Sequence, residues 1–251
     1  ASLQACTAAI CDYLEMGPDR RSVPLLPLHY SYGLSVLHIT LAARASMVVT
    51  PRSVLDRALW TMVEELGITD LSGVPFMFEA LRRMKFSEAV LAQLTCVTQA
   101  GGRLDPKITR HFQTLFGAAG VKYFTMYGQT EASPRIAYLP PEYAEAKEGS
   151  VGIPLACGRA EIAETGAAEG EGELVYSGPN VALGYALTRA GLALGDTFQG
   201  RLYTGDQVRI DADGFIFIIG RRKRFIKLQG MSVNLDHVES LLKAQEIDCL
   251  V

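Results

Sequence analysis

The stretch CVTQAGGRLDPKITRHFQTLFGAAGVKYFTMYGQTE, residues 96–131, decides the fold class. Its pattern predicts a strand at Cys96–Gln99, a glycine turn, a helix opened by Asp105-Pro106 and a strand at Tyr123–Met126. A strand, a helix and a second strand in this order favour a parallel pair with the helix on one face. Ligands bind at the carboxyl ends of such strands, so the following loop, Tyr127–Glu131, is the first candidate site.

The residues before this stretch continue the same alternation. We predict a helix over residues 1–15, a strand over Ser46–Thr50, a helix from a cap at Ser53 to Gly67, a strand over Ile68–Leu71 and a helix from Pro75 to Lys85. This rhythm predicts an α/β fold, a parallel sheet with flanking helices.

The pattern changes near Ser150, where the chain becomes rich in glycine and short strands. Strands are predicted at Glu173–Tyr176, Gln207–Ile210 and Phe215–Ile219, and a helix follows Asn234. The predicted organisation is an α/β subdomain at 1–149, a small β-rich subdomain at 150–219, and a hinge with the start of a C-terminal α+β domain at 220–251.

Composition narrows the class of protein. The chain has 251 residues, 49% hydrophobic and 20% charged, with a net charge of −3, which is typical of a globular protein and not of one that binds nucleic acid. No uncharged apolar run reaches the length of a membrane helix, because the best candidate, which begins at Gly33, meets Arg44. Five scattered cysteines and the lack of a secretory signal favour a cytoplasmic location.

Two short motifs carry side chains suited to a nucleotide. An aromatic ring at Tyr127 can stack on a purine, the Thr130 hydroxyl can bond a phosphate oxygen, and the Glu131 carboxylate can hold magnesium. Further along, Asp206 follows a Thr-Gly turn and can accept two hydrogen bonds from a ribose, with Arg221 as a charged donor nearby. Each motif alone is also compatible with an ordinary turn.

Taken together and in order, these motifs resemble those of the acyl-adenylate-forming superfamily, from about Leu25 to Glu239. That superfamily includes acyl- and aryl-CoA ligases, luciferases and the adenylation domains of peptide synthetases. The resemblance implies that ATP activates a small-molecule carboxylic acid to acyl-AMP. The acyl group then passes to a thiol, either of CoA or of phosphopantetheine on an acyl carrier protein.

The resemblance also implies roles around the loop after the strand at Tyr123–Met126. Tyr127 stacks on adenine, Gly128 lets backbone approach the nucleotide and the acyl group, and Gln129 faces one of the two. Thr130 contacts the α-phosphate and Glu131 serves Mg²⁺, and these two are the predicted catalytic residues.

Other positions follow from the same resemblance. Asp206 binds both ribose hydroxyls, Arg221 joins the ribose to the phosphate, and Arg224 occupies the hinge, where the family usually has aspartate. Glu173–Tyr176 and Gly184-Tyr185 match a family signature and are interpreted as structural.

Two more segments belong to the predicted site. Gly101 and Gly102 form either a tight turn or a flat surface for the purine, with Arg103 beside them. His29 is either a structural histidine or, with Tyr30, part of the acyl-substrate pocket. The side chains expected around that pocket suggest an apolar acid and leave its identity open.

The family's phosphate loop, which ends in Pro-Lys-Gly, is expected before Ala1, and its catalytic lysine is expected after Val251. The chain is therefore expected to be a piece of a larger enzyme that, alone, binds AMP weakly and hardly adenylates. Two alternatives are a non-catalytic nucleotide-binding module and the adenylation segment of a multidomain synthetase.

Overall fold

A computed structural model of the chain describes residues 1–163, 170–221, 224–228 and 231–245. The first part of the chain contains α1 (Ser2–Tyr13), β1 (Arg21–Pro24), α2 (Ser31–Ala42), β2 (Ser46–Met47), α3 (Arg57–Glu65), β3 (Asp70–Gly73), α4 (Pro75–Leu81), α5 (Glu88–Gln93), β4 (Cys96–Gln99), α6 (Pro106–Ala118), β5 (Lys122–Tyr127), β6 (Ala137–Leu139) and β7 (Ile153–Pro154). The second part contains β8 (Arg159–Ala163), β9 (Glu171–Ser177), β10 (Arg201–Ile210), β11 (Ile216–Arg221), β12 (Phe225–Leu228), β13 (Met231–Asn234) and α7 (Leu235–Ala244).

The fold is α/β, with one sheet dominated by parallel strands and a smaller antiparallel sheet, which confirms the predicted fold class. The large sheet has the order β2-β1-β3-β4-β5-β6-β7, in which β1 to β5 run parallel and β6 and β7 are antiparallel. The second sheet has the order β11-β10-β9-β8 and is antiparallel throughout. A third pairing, β12 with β13, precedes α7.

Helices cover both faces of the large sheet, as its strands require. Tyr123 and Val97 point into an apolar core under α3 to α6, whereas their neighbours Phe124 and Cys96 point into a second core under α1 and α2. Successive residues of a strand face opposite sides, so a strand covered on both faces is apolar along its whole length. The carboxyl ends of β3, β4 and β5 meet at one edge, which places the loop after β5 beside the loop after β4.

Two helix boundaries differ from the prediction. The helix predicted to start at Ser53 starts at Arg57, because Asp56 is the cap and its Oδ1 accepts a hydrogen bond from Ala58 N at 2.9 Å. The Ser53 hydroxyl accepts from Leu55 N instead, which makes a local turn. The helix from Pro75 ends near Leu81 and does not reach Lys85.

Helix α2 was not predicted from the sequence. The helix is apolar around its circumference, so it lacks the one-sided stripe by which surface helices are found. Both α1 and the large sheet pack against it. Strand predictions were partly wrong as well, since the segment Ser46–Thr50 pairs only at Ser46–Met47.

The chain leaves the large sheet after Pro154 and enters the second sheet at Arg159. The proposed division into subdomains at 149/150 and 219/220 stays a prediction. Within the part of the chain that the structure describes, no helix is both long enough and apolar enough to cross a bilayer.

Candidate functional site

Asp206 lies within β10, at a break in the sheet pairing, and not on the turn that the sequence predicted. The pairing of β10 with β9 skips register between Tyr203 and Gln207, and Gly205 has a positive φ of 74° at this point. Gly205 N donates to Glu173 Oε1 at 3.1 Å, which holds the bulge against β9. Bulges redirect single side chains, and this one turns Asp206 towards the large sheet.

The carboxylate of Asp206 joins the two sheets. Although Asp206 is only 5% exposed, its Oδ2 accepts from Tyr127 Oη at 2.5 Å and from Gln129 Nε2 at 3.0 Å. Gln129 Nε2 also donates to Thr204 O at 2.9 Å. On the other side, Arg221 Nε lies 3.6 Å from Asp206 Oδ1, across the β10–β11 pair. Four predicted site residues, from loops and strands far apart in sequence, are therefore in contact.

The electrostatics of this cluster keep the tyrosine protonated. Burial, followed by the charge of Asp206 and the hydrogen bond to it, raises the pKa of Tyr127 well above its usual value. Tyr127 is thus a permanent donor to Asp206 at physiological pH. The guanidinium of Arg221 is largely in solvent, with its side chain 75% exposed.

Thr130 and Glu131 follow directly, in a 3₁₀ turn that spans Thr130–Ala132. Thr130 is exposed, and its Oγ1 lies 3.0 Å from Ser31 Oγ at the start of α2. Tyr185 Oη donates to Glu131 Oε1 at 2.5 Å, and this bond raises the pKa of Tyr185. Ala182 N donates to Glu131 O at 2.8 Å, so the segment that carries Tyr185 is attached to the turn at two points.

The glycines of the site are required by close packing. A Cβ on Gly128 would lie 1.8 Å from Pro134 O, so no other residue fits that position. Gly101 has a φ of 86°, and a Cβ there would lie 2.7 Å from Tyr30 Oη. The contacts within the chain explain both glycines without a ligand.

The first turn of α2 contacts both the loop after β4 and the turn that follows β5. Tyr30 caps the helix beside Gly101, and Ser31 reaches Thr130. His29 is exposed just before this turn. The remaining predicted residues of the loop after β4 lie on the surface: Gly102, whose carbonyl accepts from Gln99 Nε2 at 3.0 Å, and Arg103.

Arg224, the predicted hinge residue, pairs with α7. Its Nη2 lies 2.5 Å from Glu239 Oε1. The neighbouring residues 222–223 of the basic run, like Cys249, lie outside the described residues.

Sequence reasoning missed two side chains that touch the site, Ser31 and Tyr185. The serine was hidden because α2 was not predicted. The tyrosine was interpreted as structural, although an exposed aromatic residue with a hydroxyl, in a segment without regular structure, is a signal of a binding role.

The sequence profile described as "AMP-binding enzyme" matches residues 1–186. This chain belongs to the AMP-binding enzyme family. The match includes the loop Tyr127–Glu131 and α2, and it ends next to Tyr185.

Curated relatives agree with this membership. The chain is 29% identical over 226 residues to a protein of Oryza sativa subsp. japonica called 4-coumarate–CoA ligase-like 6, with 88% of this chain and 37% of the relative aligned. It is 29% identical over 254 residues to a long-chain-fatty-acid–CoA ligase of Yersinia pestis, with 96% of this chain and 43% of the relative aligned. The chain therefore spans less than half the length of these relatives.

Solved structures that are similar to this chain also include a coenzyme A synthetase. The O-succinylbenzoate coenzyme A synthetase of Bacillus subtilis, in complex with ATP and magnesium ion, superimposes with a TM-score of 0.81 at 25% identity, covering 98% of this chain and 50% of that one. The same enzyme in complex with its acyl-adenylate intermediate also gives 0.81, at 26% identity, with 97% and 49% covered.

Proposed function

We propose that this chain forms the nucleotide-binding part of an ATP-dependent ligase that activates a carboxylic acid as acyl-AMP and passes the acyl group to a thiol. The observation that carries the proposal is the contact of Tyr127, Gln129 and Arg221 with Asp206 at the carboxyl edge of the parallel sheet. Membership of the AMP-binding enzyme family and the CoA ligase names of the relatives support it.

In this proposal the cluster binds the adenosine part of the nucleotide. Both Asp206 oxygens face donors of the chain, and a ribose diol offers two hydroxyl donors that could replace Gln129 and the Arg221 contact. The Tyr127 ring, together with the flat backbone at Gly101 and Gly102, would enclose the purine. Arg103 would lie at the rim of this pocket.

Thr130 and Glu131 suit the phosphates and their metal ion. The Thr130 hydroxyl is exposed and would donate to the α-phosphate, and the Glu131 carboxylate would hold Mg²⁺. The described residues contain no group of three or more metal-binding side chains, so the other ligands would come from phosphate and water, the usual arrangement for magnesium with nucleotides. When bound, the ion neutralises charge on the phosphate oxygens.

The chemical step needs positioning and no general base from this chain. The carboxylate of the acid is already ionised at neutral pH, so one of its oxygens attacks the α-phosphorus and pyrophosphate leaves. Tyr30, His29 and the backbone at Gly128 would border the acid and orient it. A thiolate would then displace AMP from the acyl carbon. We propose CoA as its source, with a carrier-protein phosphopantetheine as the alternative acceptor and the cytoplasm as the location.

The test is ATP–pyrophosphate exchange by the full-length gene product with a panel of carboxylic acids. We expect exchange that depends on one class of acid, and a loss of at least about a hundredfold in kcat/KM for Asp206→Ala, because two charge-assisted hydrogen bonds to the ribose disappear. Asp19→Ala is the matched control, since Asp19 is exposed and precedes β1, at the amino ends of the parallel strands.

Absence of exchange with every acid, from a protein that still binds AMP, would favour a nucleotide-binding module and overturn the ligase. Full activity of Asp206→Ala would instead overturn the assignment of the ribose site. Transfer to CoA and to a phosphopantetheinyl carrier protein, followed by mass spectrometry, identifies the acceptor.

A further inference from the structure

Arg135 is a buried cation with no anion beside it among the described residues. The residue is 2% exposed, and its Nε has no hydrogen-bond partner. The ion pairs formed among the described residues do not include it. A guanidinium stays charged at every relevant pH, and buried charges in proteins are normally paired. Within the described part of the chain, Arg135 therefore lacks the charged partner that its burial requires.

The position of Arg135 is well determined by its backbone. Its N donates to Ala132 O at 3.1 Å, its carbonyl accepts from Asn180 Nδ2 at 2.9 Å, and its Cα packs directly against Gly128. The side chain extends over the ring of Tyr32, with Cζ 5.0 Å from the ring centroid. A ring face offers only partial negative charge and cannot neutralise the guanidinium.

The polar groups around the side chain are neutral at physiological pH. Burial raises the pKa of Tyr32 to about 12 and that of Cys6 to about 11. Burial also raises the pKa of Tyr13 on α1. None of these groups can supply the missing negative charge, because each would have to ionise first.

The location connects Arg135 with the proposed active site. Tyr32, beneath the guanidinium, belongs to the same first turn of α2 that contacts Gly101 through Tyr30 and Thr130 through Ser31. That turn borders the proposed acyl group on one side and Arg135 on its inner side. The Cα of Arg135 packs against Gly128, whose backbone would border the acid, so a substrate with its reacting carboxylate near Thr130 would lie close to Arg135.

We propose that Arg135 recognises a second anionic group on the acid substrate, so that the substrate class is a dicarboxylic acid with an apolar spacer. This inference rests on the proposed function. The first carboxylate reacts at the α-phosphorus, and the second stays ionised and pairs with the guanidinium through two parallel hydrogen bonds. A monocarboxylic acid would leave the cation unpaired. The apolar acid suggested by the sequence thus becomes an acid with an apolar middle and a charged end.

The test compares octanoic acid with octanedioic acid in ATP–pyrophosphate exchange by the full-length protein, at equal chain length. We expect the wild type to prefer the diacid at least about tenfold in kcat/KM, and Arg135→Met to lose about a hundredfold on the diacid while keeping its rate with the monoacid. Arg135→Lys keeps the positive charge but cannot form two parallel hydrogen bonds, so its kcat/KM with the diacid should lie between those of the wild type and Arg135→Met. Arg82→Met, at an exposed arginine that follows α4, is the matched control.

The rate with the monoacid also reports folding, because only a folded Arg135→Met protein can retain it. Equal losses with both acids would give Arg135 a purely structural role and overturn the inference. So would a wild-type preference for the monoacid that the variant leaves unchanged. Neither result would affect the ligase assignment, which fails only if no acid supports exchange.

Discussion

Two regions of the molecule are built on opposite principles: the apolar core under α3 to α6 and the polar junction between the two sheets. In the core, aromatic rings pack on one another, with Phe112 5.2 Å from Phe78 and 5.6 Å from Phe116 between ring centroids. At the junction, Asp206 is buried and accepts hydrogen bonds from Tyr127 and Gln129, and Arg135 is buried with no anion beside it among the described residues.

The two regions have different roles: the apolar core stabilises the fold, and the polar junction provides groups that can bind a ligand. Burying apolar rings stabilises the fold without any ligand. Burying charged groups costs free energy that is offset only when partners are present. The junction is therefore the region where ligand groups can complete the structure, and the four predictions below test this contrast, from the largest expected effect to the smallest.

Phe112→Ala should lower the free energy of unfolding by about 3–5 kcal/mol, because the side chain is fully buried and leaves a cavity. Urea unfolding followed by the fluorescence of Trp60 measures this, since Trp60 packs 5.0 Å from Phe86 in the same core. The control Phe76→Ala, at a ring 75% exposed, should change stability by less than about 0.5 kcal/mol. A loss below about 1 kcal/mol for Phe112→Ala would contradict the description of this core.

Tyr185→Phe should raise the Mg²⁺ concentration for half-maximal exchange about tenfold, since hydrogen bonds to a metal-binding carboxylate typically govern metal affinity to this extent. The variant removes only the hydroxyl that donates to Glu131. Titration of Mg²⁺ at saturating ATP and acid gives the constant. Tyr143→Phe, a similar change at a ring that packs on Phe215, is the control. An unchanged Mg²⁺ dependence in Tyr185→Phe would remove Tyr185 from the metal site.

Tyr127→Phe should weaken AMP binding about two- to fivefold, because the ring that we propose to face the purine remains and only one neutral donor to Asp206 is lost. Calorimetric titration of AMP into the full-length protein measures the affinity. Tyr127→Ala, which removes the ring as well, should weaken AMP binding clearly more than Tyr127→Phe does. Equal losses in the two variants would mean that the hydroxyl, and not the ring, is the important group.

The smallest effect concerns the pair Lys147 and Asp211, in which the hydrogen bond from Lys147 lowers the pKa of Asp211. A carboxyl with a lowered pKa adds stability above its unfolded value, 3.8, and this stability is lost as the pH falls towards the folded value. Asp211→Asn should therefore melt slightly below the wild type at pH 6, and the difference should vanish near pH 2. The asparagine side chain keeps an oxygen that can accept the hydrogen bond from Phe215 N, so this contact is not lost in the variant. A difference that persists at pH 2 would have another origin.

Local patterns predicted much of the large sheet. The strand at Cys96–Gln99, α6 and the strand within Lys122–Tyr127 follow from periodicity and from Asp105 and Pro106, which act within one helical turn. The same reasoning failed for α2, whose circumference is apolar because both neighbours cover it. The cap was predicted at Ser53, three positions before the observed cap Asp56, because serine and aspartate have similar capping preferences.

Most of the candidate site residues were named from motifs, but their contacts were not. The hydrogen bond from Tyr127 to Asp206 joins residues 79 positions apart. The bulge that aims Asp206 depends on how β10 pairs with β9, and from the sequence its Thr-Gly pair was interpreted as a turn. Tyr185 and Arg135 were not assigned roles at the site, since their partners lie far away along the chain, at Glu131 for Tyr185 and on α2 at Tyr32 for Arg135.

By itself the sequence determined the fold class, the family and the chemical types at the site, because these depend on residue identity and on periodicity over a few positions. Only the tertiary structure decided which of those groups touch and which charge has no ion-pair partner in the described part of the chain. Asp206 lies between two donors, and Arg135 lies over an aromatic ring. The physical reason is that hydrogen bonding and desolvation act between neighbours in space, and packing the two sheets together makes neighbours of residues that are distant along the chain.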